Sequence, residues 1–329
     1  TITQGVLDEK LATAKEECPI DVFGYIGATT DNLEDLQKPT QAVGIKIFVG
    51  SSTGNMLVDD QESLEAIFAH TKGLVCVHAE DEHMVQENAK RFKGSSDVLD
   101  HMRIRNPEAA LKATKRVVDL ALRHQRRTHI LHITTKEEVS YLDSLPKNPY
   151  ITSELCIPHL FCFAPDIYET YKTFAQINPP IRDKSHYDAL NRALKTGLFS
   201  QVSTDHAPHT KEEKEKPFGD APSGMPSIQF AAPLLLDAAL KGNWSIENVL
   251  NWYGSSPATL IGKTDRGSLK TGFLADMVLF DEKGATDLSK APIYSEAKWH
   301  VFEEHKLKGR IIGTIKAGQM LYREGEFLI

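Results

Sequence analysis

The chain has 329 residues, a formal net charge of -7, 41% hydrophobic and 25% charged residues, which is the make-up of an ordinary globular protein rather than a disordered or fibrous one. No Lys/Arg block exceeds scattered pairs such as Arg126-Arg127, no apolar run approaches the roughly 20 residues of a membrane span, and Thr1 opens no signal-peptide pattern. These features argue against nucleic-acid and membrane partners and make the cytoplasm the expected location.

Residues 2–18 have helical spacing. Six short apolar runs then follow in order: DVFGYIGAT, GIKIFVG, LVCVHAE, THILHITT, ITSELCI and FSQVSTD, bounded by Gly, Pro, Asp or Ser. Between most of them lie helix-period stretches such as 107–125. Strands buried on both faces read as near-continuous apolar runs, and polar residues gathered at their carboxyl ends suit a closed α/β barrel. The expected fold is a (β/α)8 TIM-type metal-dependent hydrolase barrel. Closure takes eight strands, so the barrel is expected to lack its first two, with residues 1–262 supplying strands 3–8. On that reading the encoded chain is longer by roughly 80–100 residues. Past residue 262, GSLKTGFLADMVLFD, KWHVF and GRIIGTIKAGQMLYREGEFLI predict short alternating strands, so 263–329 is expected to form the C-terminal part of a small β-sandwich. Of the four cysteines, Cys18, Cys76, Cys156 and Cys162, three fall in or just after apolar runs, and all are expected as reduced thiols.

Four polar residues stand at the ends of four of these runs: Lys46, His78, His132 and Asp205. Each has a bland reading by itself. Lys46 could snorkel from an edge strand, either histidine could be a structural residue, and Asp205 could cap a helix. Together they supply nitrogen and oxygen donors at one barrel mouth, the arrangement that metal-assisted hydrolysis requires. A lysine with a depressed pKa could also react with carbon dioxide to give a bridging carbamate. Asp205 could bind metal and shuttle a proton, and His209, four residues on, could meet an anionic substrate group. Glycines 50 and 54 suggest a mobile or tightly turning loop, and GDAPSGMP could offer backbone N–H groups to an anion. The acidic run Glu80, Asp81 and Glu82 reads as a solvated face. His70, His83, His101, His124, His129, His186, His300 and His305 read as helix or surface residues.

GIKIFVGSSTGNMLVDD, VHAEDE, LHITT, ITSELCIPHL, INPPIR, STDHAPHT and APSGMPSIQ together resemble the cyclic amidohydrolases, and within them the dihydroorotases. The resemblance implies zinc-dependent, reversible cyclisation of N-carbamoyl-L-aspartate to L-dihydroorotate in pyrimidine biosynthesis. It implies Lys46 as a carboxylated bridging ligand, His78 and His132 on the second of two zinc ions, and Asp205 as ligand to the first and general base. Asn178, His209 and the loop Gly224, Met225, Pro226 would contact substrate. Family members also carry a His-x-His pair on the first barrel strand, which this sequence does not show, so the first metal would lose two ligands and activity would be impaired. The rival readings are a hydantoinase or allantoinase, or a catalytically silent partner of aspartate carbamoyltransferase; a homodimer is expected on base rates.

Overall fold

The six apolar runs form one parallel sheet in the computed structural model, which describes residues 1–37, 41–50 and 56–328. The strands are β1 (Tyr25–Gly27), β2 (Gly44–Phe48), β3 (Val75–His78), β4 (Thr128–Ile130), β5 (Ile151–Cys156) and β6 (Gln201–Ser203), hydrogen-bonded in chain order. Each parallel pairing needs a crossover, and helices Gln61–His70, Pro107–Arg123, Lys136–Ser144 and Lys184–Thr196 supply four of them. Ile45, Ile47, Val75, Val77, Ile130, Leu155 and Val202 are all buried, which is why the strands read as continuous apolar runs.

Local chemistry fixes these elements. Asn106 caps helix Pro107–Arg123, its side chain accepting from the Ala109 N–H at 2.9 Å, and Pro107 takes the first turn, where its missing N–H is harmless. Ala109, Ala113, Val117, Leu120 and Ala121 then form the stripe that packs on the sheet. Among the described residues β1 and β6 are the sheet's outer strands, and the Gly27 N–H donates to the Thr1 carbonyl at 2.8 Å. The architecture is an α/β barrel-type sheet with a small β unit appended.

That unit comprises β7 (Met277–Asp287), β8 (Lys306–Lys316), β9 (Gln319–Arg323) and β10 (Glu326–Phe327), an antiparallel meander in a single layer. It joins the barrel through helix Ile228–Leu240, where the Asp237 carboxylate accepts from the Lys308 N–H at 2.8 Å. Residues 267–276 are not strand, and neither is KWHVF. Trp299, His300, Val301 and Phe302 are all buried, a continuous wedge that the alternation of a half-buried strand does not allow. Of the cysteines, Cys76, Cys156 and Cys162 are buried and Cys18 is exposed. No helix among the described residues is long and apolar enough to cross a membrane.

Candidate metal centre

Lys46 lies in the middle of β2, an inner strand flanked by β1 and β3, so the edge-strand reading fails. Burial lowers its amine to about 8, against the opposing pull of Asp205, and the ammonium stands 4.2 Å from the Phe48 ring centroid. Asp205 follows β6 by two residues and is no helix cap: Thr210 caps the next helix, Lys211–Lys214. Its side chain reaches water at the mouth while the barrel wall crowds it. Desolvation by that wall raises the carboxyl to about 6, with Lys46 opposing.

His78 ends β3, and His132 follows β4 by two residues. His132 and Asp205 both take left-handed backbone, with φ of 38° and 44°, an uncommon state for non-glycine residues that clusters at functional sites. His78 Nδ1 faces His132 Nε2 at 3.0 Å, with the rings edge-on at 4.7 Å. Both are buried, and desolvation lowers both pKa values, His132 well below the usual imidazole range. Two nitrogens bound tetrahedrally to one zinc at roughly 2.0–2.1 Å stand about 3.3 Å apart. The 3.0 Å separation of this pair is within a few tenths of an ångström of that spacing. Among the described residues no three His, Cys, Asp or Glu side chains form a group that could hold a metal ion.

The acidic run after His78 is not a solvated face, since Glu80, Asp81 and Glu82 are all buried. Glu80 lies two residues past the end of β3, and its carboxylate turns to His78. Its Oε2 lies 3.0 Å from His78 Nε2 and also accepts from Arg105 Nη1. Burial alone would raise this carboxyl, but Arg105, His78 and Arg182 outweigh it and hold it at about 2. Arg182 in turn donates to Thr134 Oγ1 at 3.0 Å and to the Arg105 carbonyl at 2.8 Å. Asp81 caps helix Glu82–Arg91 through the Met84 N–H at 3.0 Å.

Several histidines also differ from expectation. His129 lies in β4 and His300 is buried outside any helix, because each finds a polar partner inside, while His101 lies in helix Asp100–Ile104 as expected but on its buried side. His101 and His159 donate from Nε2 to the carbonyls of Ile177 and Pro179 at 2.8 and 2.9 Å, and desolvation lowers both to about 4.

The expected substrate loops meet one another. Gly224 N–H donates to the Gln176 carbonyl at 2.9 Å, Gln176 Nε2 reaches Ala221 O and Ser223 Oγ, and His209 Nε2 lies 3.2 Å from Ser223 O. The Gly224 N–H is thus already engaged and is not free for an anion. Met225 is fully buried, so its side chain serves the core, while Asn178 Oδ1 is buried with no partner among the described residues. Gly50 sits tightly against Glu80, where a Cβ would overlap the Glu80 carbonyl oxygen; Gly54 lies outside the described residues. Glu80, Arg105, Arg182, Gln176 and Lys214 escaped the sequence reading. The i, i+2 spacing in HAE was the available signal for Glu80. Lys214, buried with Nζ donating to Gln176 O and Pro222 O at 3.1 and 2.8 Å, sits in a KEEKEK run that gives none.

A parallel sheet with convergent histidines at its carboxyl rim is the framework of a metal-assisted hydrolase. The Amidohydrolase family profile matches residues 56–321, and the chain belongs to that family. Among its relatives are a dihydroorotase from Halobacterium salinarum, 34% identical over 93% of this chain and 71% of that protein, and one from Methanosarcina acetivorans, 31% identical over 90% and 66%. An allantoinase from Streptomyces avermitilis is 28% identical over 99% of this chain and 74% of that one. In fold, the chain matches the L-hydantoinase of Arthrobacter aurescens with a TM-score of 0.91, at 24% identity over 100% of this chain and 76% of that one.

Proposed function

We propose that this chain acts as a dihydroorotase, interconverting N-carbamoyl-L-aspartate and L-dihydroorotate with zinc as cofactor. The observation that carries the reading is the facing of His78 Nδ1 and His132 Nε2 at 3.0 Å, with Lys46 near enough to act on both imidazoles and on Asp205. Lys46, His78, His132 and Asp205 would hold the metal, Lys46 as its carbamate. When bound, zinc supplies a water acidic enough to ionise at neutral pH and a Lewis acid for the amide carbonyl. Asp205, open to water and raised to about 6, takes the proton from the attacking water and returns it to the leaving ring nitrogen. Asn178 Oδ1, His209 and the backbone of Gly224–Pro226 orient the substrate. Residues 1–262 carry the chemistry and 263–329 form the appended unit.

The dihydroorotase relatives favour this substrate, whereas the allantoinase relative favours a neighbouring cyclic amide. Assays of the zinc-supplied chain with dihydroorotate, hydantoins and allantoin decide between them. Turnover of dihydroorotate is the expected result, and turnover confined to a hydantoin or to allantoin rejects it.

A further inference from the structure

We propose that Glu80 is a positioning residue of the metal centre, whose carboxylate fixes His78 in the tautomer that leaves Nδ1 free to bind metal. The inference rests on the reading of His78 as a ligand, but its geometry stands independently. His78 is buried, and its two ring nitrogens have separate partners: His132 Nε2 on one side and Glu80 Oε2 on the other, each at 3.0 Å. A neutral imidazole carries a single N–H, so the partners decide where it sits.

Glu80 Oε2 is also clasped by the Arg105 guanidinium, a donor that cannot accept, so this oxygen serves as acceptor to both neighbours. The His78 proton therefore lies on Nε2. The opposite tautomer would set a bare nitrogen against a carboxylate oxygen in a buried place, two acceptors with no proton between them. Nδ1 is left with its lone pair towards His132, whose Nε2–H supplies the hydrogen bond between the rings. Metal entry then requires one proton to move, from His132 Nε2 to the Nδ1 of the same ring, and none to move on His78.

The support behind Glu80 is rigid. Its main chain is pinned by the close approach of Gly50, and Arg105 is held through its carbonyl by Arg182. Outer partners of this kind, a carboxylate behind a ligating histidine, commonly govern metal affinity by about 10–100-fold.

The test uses the full chain labelled with ¹⁵N in its imidazoles, stripped of metal, with long-range ¹H–¹⁵N spectra reporting which nitrogen of His78 bears the proton. The expected result is Nε2–H in the parent and a mixture of tautomers in Glu80→Ala. A proton on Nδ1 in the parent, or an unchanged Nε2–H in Glu80→Ala, overturns the proposal. Zinc affinity measured against a chelator should fall about 10–100-fold in Glu80→Ala and by less in Glu80→Gln, which keeps an acceptor oxygen. Affinity in both variants within about threefold of the parent also overturns it. His78→Ala separates the two ideas: undiminished zinc binding there rejects the ligand reading, while the metal-free spectra still decide the role of Glu80. Should Glu80→Ala fail to fold, the metal-free parent spectrum still decides, since a proton on His78 Nδ1 there overturns the proposal.

Discussion

Two buried histidine–carboxylate pairs stand in this sheet, His78 with Glu80 at the mouth and His129 with Glu154 between β4 and β5, and both close at 3.0 Å. The inner pair is complete. His129 Nδ1 meets Thr152 Oγ1 at 2.8 Å, Glu154 Oε2 also accepts from Gln201 Nε2, and Glu154 Oε1 accepts from Ser203 Oγ, both at 2.7 Å. At the mouth, His78 Nδ1 meets only another imidazole, and Glu80 Oε1 has no partner among the described residues. A pair whose four polar atoms are all engaged stabilises and specifies a fold, whereas a pair with a carboxylate oxygen to spare has capacity left for a further partner. The same two residue types thus serve opposite ends, and perturbing each should separate function from folding.

The sharpest break is expected at Asp205. Asn tolerates the left-handed backbone that Asp205 adopts, so Asp205→Asn removes the charge and proton capacity while leaving the rim in place. Turnover should fall by about 10³-fold, within the range of a lost general base, with unfolding free energy changed by less than about 0.5 kcal/mol. Steady-state rates and urea titrations measure both. Retained turnover would remove Asp205 from the chemistry.

At the inner pair the outcome should invert. His129→Leu leaves Glu154 as a buried carboxylate stripped of its main partner and should lower stability by about 3 kcal/mol, while zinc uptake stays near that of the parent. A loss of zinc binding without a loss of stability would mean that the two networks are not separate.

This contrast also marks what the sequence could convey. The strands and crossover helices were legible because burial on both faces demands unbroken apolar runs and a helix stripe demands a 3.6-residue period. His78, His132 and Asp205 were legible because each stands at the end of such a run, and Lys46 because a lone cation interrupts one. Glu80 looked like surface because two further acids follow it, yet it is buried just past the end of β3, where His78 and Arg105 supply its partners. Lys214 and His101 were illegible for a different reason. Their partners are main-chain carbonyls of Gln176, Pro222 and Ile177, and a carbonyl leaves no trace in residue identity. KWHVF misled because its apolar residues fill a wedge rather than one face of a strand.

His101 extends the comparison to acid. Its folded pKa of about 4 lies below the ordinary 6.5, chiefly through desolvation, with Arg105 adding repulsion. Below pH 6.5 the unfolded chain binds a proton that the folded chain refuses until pH falls to about 4, so stability is lost as pH drops through that window and is unaffected above it. At pH 5 the contribution amounts to about 2 kcal/mol. His101→Gln keeps a donor for the Ile177 carbonyl and cannot titrate. Urea unfolding at pH 7 and pH 5 should therefore show a smaller acid loss in the variant than in the parent. Equal losses would place the acid sensitivity elsewhere.

The smallest effect should come from the loop hub around Gln176, which is tied by several hydrogen bonds but leaves Gln176 Oε1 without a partner among the described residues. Gly224 has φ of 142° and lies so close to Ala207 that an added Cβ would overlap its carbonyl oxygen, so Gly224→Ala is strained both in backbone and in contact. The cost should be about 1–2 kcal/mol, borne locally because Gly224 N–H, Gln176 and Lys214 tie this turn to the INPP segment. That displacement would reach Asn178 and His209 before it reached His78 or His132. KM for the cyclic amide should accordingly rise several-fold while zinc content stays at the parent value. A fall in zinc content with unchanged KM would show instead that the hub supports the metal ligands, and the division between closed scaffold and open site would have to be redrawn through this loop.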